Sequence, residues 1–287
     1  MNGGRIAVVG GSGFYDFPDL EERSEKRVDT PFGAPSDVIV TGRLAGRAVA
    51  FLPRHGRGHR LSPTEIPARA NIYALKTLGV ERIISVSACG SMKEEIAPLD
   101  VVIPDQLFDR TKARASTFFE GGIVAHVAFA DPFCADLSQA LFRAATTLGA
   151  RVHAGGTYVC MEGPQFSTRA ESRIYRQLGV DVIGMTALPE AKLAREAEMC
   201  YATLAFATDY DCWHETEEDV TVEMVVKNLL QNVETGKNII RRALPELPVA
   251  ERTCPCASAL ATAIITQRDL IPAEVKDRLG VLVGRYL

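Results

Sequence analysis

Short aliphatic and β-branched runs alternate along the chain with longer amphipathic stretches. RIAVV (Arg5 to Val9), ERIISVSA (Glu81 to Ala88), DVVIP (Asp100 to Pro104), DVIGM (Asp181 to Met185) and YATLAFA (Tyr201 to Ala207) predict buried strands. Between them, PTEIPARANIYALKTLG, ADLSQALFRAATTLG, STRAESRIYRQLG and PEAKLAREAEMC carry helical periodicity, several closing on a glycine that can cap the last turn. DVIVTGRLAGRAVAFLP, with Gly42 and Gly46 bracketing a turn, predicts an early hairpin. From Val220 the pattern reads as helical throughout, first VTVEMVVKNLLQNVETGKNIIRRAL and then CASALATAIITQRDL. This alternation predicts an α/β fold, a mostly parallel or mixed sheet flanked by helices. With no repeat, linker or low-complexity stretch, residues 1–287 are expected to form a single domain whose C-terminal portion is helical from about 220.

Composition narrows the partners. Hydrophobic residues make up 47% and charged residues 24% of the 287, and the formal charge is -4 without any Lys/Arg block. A nucleic-acid backbone is therefore not an expected partner. MNGGRIAVVGG lacks the basic and long apolar regions of a secretory leader, and no run approaches the roughly 18 apolar residues of a membrane span, so no membrane association and a cytoplasmic location are expected. Seven cysteines, an odd number lying mostly in apolar stretches, read as reduced buried thiols. Cys254-Pro255-Cys256 reads either as a redox or metal pair or as two thiols at a helix start; zinc would need further ligands. His55 and His59 have helical metal-site spacing, but Gly56 and Gly58 between them argue against a helix.

Four segments carry candidate chemistry. In VVGGSGFYD a strand empties into glycines, where backbone amides and the Ser12 hydroxyl suit an anion or simply make a tight turn; neither the dinucleotide nor the P-loop pattern is complete. FLPRHGRGHR delivers Arg54 and His55 into a glycine-broken loop, a guanidinium fork for phosphate with an imidazole beside it, or a solvated basic loop. CMEGPQFSTRAES offers a Gly-Pro turn, Phe166 to stack on a planar base, and Ser167 or Thr168 as helix caps with Glu171. GMT ends a strand at Thr186, a donor for an anion or a cap for the helix at Pro189-Glu190. A fifth feature, TDYDCW, places Asp209 and Asp211 two residues apart where an apolar strand leaves the core; if the segment is extended, both carboxylates point the same way.

In wording and order these segments, together with TPFGAPSD, SACGSMKEEIAPLDVVIPDQLFDRT and ATDYDCWHETEE, resemble the 5'-methylthioadenosine phosphorylases, within the trimeric branch of the purine nucleoside phosphorylase superfamily. The resemblance implies a partly barrel-like mixed central sheet and cleavage of 5'-methylthioadenosine by inorganic phosphate to adenine and 5-methylthioribose 1-phosphate. It implies no metal and no organic cofactor, phosphate being a co-substrate, and a homotrimer or a hexamer built as a dimer of trimers. Phosphate would lie on Ser12, Arg54, His55, Ser87, the Ala88 amide and Thr186. The ribose would lie against Met185, the purine against Phe166 and Ser167, and the methylthio group against Val222, Val225 and Val226, with His126 reaching in from a neighbouring subunit. Asp209 would protonate N7 of the leaving adenine, and Asp211 would accept from its N6 amino group.

Asp209 and Ser167 stand where the 6-oxopurine relatives carry Asn and Glu. A carboxylate facing O6 would oppose two acceptors, a loss of about 1–3 kcal/mol, so adenine is the expected base. Ser12 and Ser87 replace a common Thr with the hydroxyl kept, and Val226 replaces a bulkier Leu, which would widen the 5' pocket toward 5'-deoxyadenosine or adenosine. The competing readings are a phosphorylase for adenosine, 5'-deoxyadenosine or methylthioinosine, a nucleoside sensor without catalysis, and a Rossmann oxidoreductase, the last weakened by the incomplete glycine pattern.

Overall fold

The computed structural model describes residues 4–11, 13–14, 17–214, 222–249 and 252–287, with only the backbone of 222–225, 227 and 229. Among these described residues eleven strands form one mixed sheet: β1 (Arg5–Gly10), β2 (Glu21–Lys26), β3 (Ile39–Leu44), β4 (Arg47–Pro53), β5 (Val80–Ser91), β6 (Val101–Ile103), β7 (Gln106–Arg110), β8 (Val152–Ala154), β9 (Thr157–Met161), β10 (Val182–Gly184) and β11 (Cys200–Asp209). Helices α1 (Ala68–Thr77), α2 (Ala135–Thr147), α3 (Arg169–Gln177), α4 (Glu190–Glu196), α5 (Val222–Ala243), α6 (Ala273–Arg278) and α7 (Gly280–Val283) surround it.

Alternation along β1 shows why the strands read as continuous apolar runs. Ala7 and Val9 enter one core with residues of α1 and α4, while Ile6 and Val8 enter a second with residues of α2 and α5. Both faces are covered, so neither needs polar residues. Burying each such aliphatic side chain contributes about 1.5–3 kcal/mol.

β5 is the trunk of the sheet. One edge pairs in parallel with β11 from Arg82 to Gly90. Along the other edge β1 is the partner only as far as Ser85, and β10 takes over antiparallel at Gly90. Between those points, over Val86 to Cys89, no strand among the described residues pairs with that edge. Among the described residues, no helix is long and apolar enough to cross a membrane.

Several expectations change. The hairpin forms between β3 and β4, but its two-residue turn is Ala45-Gly46, both at positive φ; Gly42 lies inside β3, where an added Cβ would come 2.5 Å from the Glu21 carbonyl of β2. α1 begins only after Pro67, because each proline of PTEIP lacks an amide to donate. The segment 256–270 is not a long helix. It is a 3-10 turn at Pro255–Ser258, a bridge from Ile264 to Ala125 and a second 3-10 turn at Arg268–Leu270. Its apolar residues pack through tertiary contacts, Leu260 and Ala263 into the α1/α4 core and Cys256 into the other.

Candidate active site

Arg54 is delivered by the end of β4 into the place where β1 and β5 part, and it is almost wholly buried. Its Nη2 donates to Val9 O at 3.1 Å and its Nη1 to Val86 O at 2.9 Å, the carbonyls exposed by the split. The rest of the fork grips Glu190, the first residue of α4, through Nε at 2.9 Å and Nη2 at 3.0 Å, with Ser85 Oγ also 2.7 Å from Nη2. Tyr201 OH donates to the same carboxylate at 2.9 Å. The Arg54 fork is thus engaged by its own counter-charge, as a buried guanidinium requires, and among the described residues at most one N–H, on Nη1, remains for an incoming anion. Burial alone would lower the Arg54 pKa, but Glu190 raises it overall, so the cation is permanent.

Ser87 and Thr186 meet beside this stretch of β5. Their hydroxyls are 3.1 Å apart, and Tyr158 OH lies 3.0 Å from Ser87 Oγ. Thr186 thus serves neither of its helix neighbours as a cap; Pro189 occupies that position on α4. The Gly184 position makes room for the cluster, since a Cβ there would sit 2.0 Å from Tyr158 OH. Ala88 is half-buried on the unpaired stretch of β5. His55, also buried, holds Nδ1 2.9 Å from Leu61 O. A carbonyl can only accept, so Nδ1 carries a proton and the neutral ring offers Nε2 as an acceptor. Burial, reinforced by the Arg54 charge, pushes the His55 pKa down to about 4. The ring stacks on His59 at 4.2 Å without any helix, Gly56 and Gly58 both taking positive φ in the turn.

Asp209 and Asp211 are brought together by a turn and not by strand alternation. β11 ends at Asp209, its register with β5 shifting after Ala207, and Asp211 adopts a left-handed φ of 51°. The Asp211 amide donates to Asp209 Oδ1 at 2.8 Å, an Asx turn that closes the strand. Both side chains are buried. Thr208 Oγ1 lies 2.6 Å from Asp209 Oδ2 and 3.2 Å from Cys89 O. A hydroxyl has one proton, so both contacts are hydrogen bonds only when Asp209 supplies a second. Burial raises the Asp209 pKa, opposed by the Thr208 and Asp211 hydrogen bonds and aided by the Asp211 charge. Asn228 and Asn232 of α5 donate to the carbonyls of Thr208 and Ala207, fixing the strand end from the helical side.

Gly90 pairs with Asp209, three residues along β5 from Ser87. At about 3.3 Å per residue the hydroxyl cluster and the carboxyl pair stand roughly 10 Å apart along one strand. Met185 lies beside them, half-buried, its sulfur occupying space that any side chain at Gly163 would fill. Arg114, which sequence reading passed over, clamps this loop through the Met185 and Leu188 carbonyls, each at 2.6 Å. Ser167 precedes α3, where Thr168 and Glu171 form the capping box, and its carbonyl accepts from Cys212 Sγ at 3.4 Å, tying it to the carboxyl turn.

Phe166 is 45% exposed and Val226 47% exposed. A groove of about 230 Å³ beside Phe166, lined by Arg110, Lys112, Glu162, Gln165 and Tyr175, includes neither Asp209 nor Thr186. His126 is exposed, its amide bonded to Ala263 O, and no hydrogen bond among the described residues ties its side chain to the other candidates. Ser12 and the side chains of Val222 and Val225 lie outside the described residues.

Two hydroxyls 3.1 Å apart, joined along one strand to a buried carboxyl pair, are an arrangement that can hold an anion beside an acid, as a group-transfer enzyme requires. Residues 5–245 match the model of the phosphorylase superfamily, and the chain belongs to that family. It is 61% identical to the S-methyl-5'-thioadenosine phosphorylase of Geobacter sulfurreducens over 98% of this chain and 99% of that one. The structure of a methylthioadenosine phosphorylase from an antarctic soil metagenomic library superposes with a TM-score of 0.93 at 50% identity, covering 98% of this chain and 99% of that one. A variant of the adenosine/methylthioadenosine phosphorylase of Schistosoma mansoni, in complex with methylthioadenosine, superposes with a TM-score of 0.84 at 35% identity, covering 93% and 99%.

Proposed function

We propose that the protein catalyses phosphorolysis of 5'-methylthioadenosine to adenine and 5-methylthioribose 1-phosphate. The observation that carries this reading is the joining of two features on β5: the Ser87 and Thr186 hydroxyls 3.1 Å apart at one end, and buried Asp209 opposite Gly90 at the other. Phosphate would be held by those hydroxyls, the Ala88 amide, Ser12, His55 and the remaining Arg54 N–H. His55, with a bare Nε2, favours accepting a hydrogen bond from the P–OH of hydrogen phosphate, while the Arg54 charge is partly spent on Glu190.

As the glycosidic bond lengthens, the sugar becomes cationic and the adenine anionic. Phosphate below the sugar stabilises the first charge and then attacks C1'. Asp209 meets the second. Its raised pKa favours the protonated acid, which would donate to N7, and Asp211 would accept from the N6 amino group. Phe166 and Ser167 would bound the purine, Met185 the ribose, and Val222, Val225 and Val226 the methylthio group. The chemistry as drawn uses no resident metal or organic cofactor.

Residues 1–287 would act as one catalytic domain, its C-terminal helical part closing the 5' pocket. Exposed Phe166, Val226 and His126 favour a homotrimer, or a dimer of trimers, in which His126 of a neighbouring copy enters this pocket. Cytoplasmic location belongs to the same proposal. The test is base release from methylthioadenosine, adenosine, inosine and methylthioinosine with and without phosphate. Phosphate-dependent preference for methylthioadenosine is expected; preference for either inosine compound would refute the aspartate assignment, and binding without product would favour a sensor.

A further inference from the structure

The Cys254-Pro255-Cys256 pair gains partners that are distant in sequence. Cys134 is the N-cap of α2, Cys200 opens β11, and the Sγ atoms of Cys134, Cys200, Cys254 and Cys256 all lie within 4.8 Å of one another, Cys200 and Cys254 at 3.3 Å. Zinc bound to four thiolates has Zn–S bonds of about 2.3 Å, which puts tetrahedral sulfurs roughly 3.8 Å apart. Four sulfurs already gathered to that scale need only small side-chain rotations to enclose an ion. We propose that these four cysteines bind a structural zinc ion.

The surroundings fit a thiolate site. Cys134, Cys200 and Cys256 are buried, while Cys254 is half-buried and leaves an entry path. Cys134 sits at the positive N-terminal end of α2, which favours a thiolate. Four thiolates around a divalent ion leave two negative charges, and Arg252 Nη1 lies 3.9 Å from Cys200 Sγ to offset part of that. The one-residue spacing is shorter than the usual two to four. It works here because Cys254 is extended, at φ -71° and ψ 153°, and Pro255 then starts a 3-10 turn that swings Cys256 back into the core. Binding would release the thiol protons to solvent and form four Zn–S bonds, with no change of oxidation state.

The site sits far from the candidate chemistry. Cys200 and Asp209 are opposite ends of β11, about 30 Å apart at about 3.3 Å per residue. Zinc would therefore fasten the start of α2, the start of β11 and the C-terminal segment together, without touching substrate.

The experiment is metal analysis of the full chain purified anaerobically with reductant, alongside the same chain expressed in cobalt-supplemented medium. About one zinc per chain is expected, and the cobalt form should show a thiolate-to-cobalt charge-transfer band with tetrahedral d–d bands. Cys254→Ser should lower that band and weaken zinc retention against a chelator at least tenfold, with base release at saturating substrate unchanged. Chelation should lower the thermal midpoint of the parent chain by more than that of Cys254→Ser. Zinc-free protein with all four thiols alkylatable would overturn the proposal, as would cross-linked cysteines in the fresh anaerobic protein. So would a Cys254→Ser variant with unaltered zinc content and cobalt spectrum, since the metal would then belong elsewhere. Cobalt incorporated during expression keeps the test decisive if the metal-free chain fails to fold.

Discussion

Replacing Asp209 by Asn isolates the proton. Oδ1 would still accept from the Asp211 amide, now at 2.8 Å. The new amide nitrogen would take the place of Oδ2, 2.6 Å from Thr208 Oγ1, and Thr208 can rotate to donate to Cys89 O at 3.2 Å while accepting from Asn. The fold therefore loses no hydrogen bond, and Asn resembles the protonated carboxyl at every pH. What disappears is a transferable proton, and general acid catalysis is worth about 10²–10⁴-fold, or roughly 2.7–5.4 kcal/mol of barrier. The expected result is a fall in kcat of at least about 100-fold on methylthioadenosine, with KM for the nucleoside changed by less than about threefold. Parent kcat/KM should decline as pH rises through the raised Asp209 pKa, because the acid form is consumed, and the variant should lack that limb. Stability should not fall. A carboxyl whose pKa is raised by folding stabilises below its unfolded pKa and loses that contribution as pH rises through the folded one, a loss that Asn avoids. The measurement is steady-state adenine release across pH with thermal melts of both chains. Retention of parent kcat would remove Asp209 as the acid; loss of kcat accompanied by a large drop in melting temperature would make it structural.

Other buried charges give further expectations. Glu190→Gln removes the counter-ion of buried Arg54, so about 3–5 kcal/mol of stability should be lost and the phosphate KM should rise more than the nucleoside KM; an unchanged melt would contradict the assignment. Glu196, whose pKa burial pushes up to about 7 despite bonds from the Phe118 amide and Thr117, should favour the fold below about pH 4.5 and lose that as pH rises through 7. His55, held down to about 4, works in the opposite sense, its contribution present above about pH 6.5 and lost as pH falls toward 4. Each is worth up to about 3 kcal/mol at 1.36 kcal/mol per pH unit, so between pH 4.5 and 6.5 their slopes offset. In phosphate-free buffer, Glu196→Gln should leave a melting temperature that rises with pH across that window and His55→Ala one that falls, and the same slope in both variants would refute the reasoning.

Hydrophobic pattern made β1, β5 and β11 legible because they are buried on both faces. β2 was not, since EERSEK has no apolar residue; it is held by pairing with Ile39, Val40, Thr41 and Arg43 of β3 and by the ion pair from Glu25 to Arg57. The segment 256–270 misled because apolar residues at helical spacing can equally reach two different cores from an irregular backbone. At the site, the motifs brought Arg54, Ser87, Thr186 and Asp209 to attention. Glu190 read only as a helix start, and Arg114 and Tyr158 as part of no motif, because each matters through a partner on another element. Family resemblance supplied roles for Asp209 and Asp211, but their proximity depends on the left-handed turn at Asp211, which a period of two could not foresee. The four cysteines come from three elements separated by more than fifty residues each, so only the folded chain assembles them.

The central claim is that phosphate, and not water, receives the sugar. It is tested most directly by following methylthioadenosine with excess enzyme in phosphate by ³¹P NMR while adenine is quantified. One sugar 1-phosphate resonance should grow in step with adenine, with no release when phosphate is withheld. Adenine formed without phosphate, together with free methylthioribose, would contradict it.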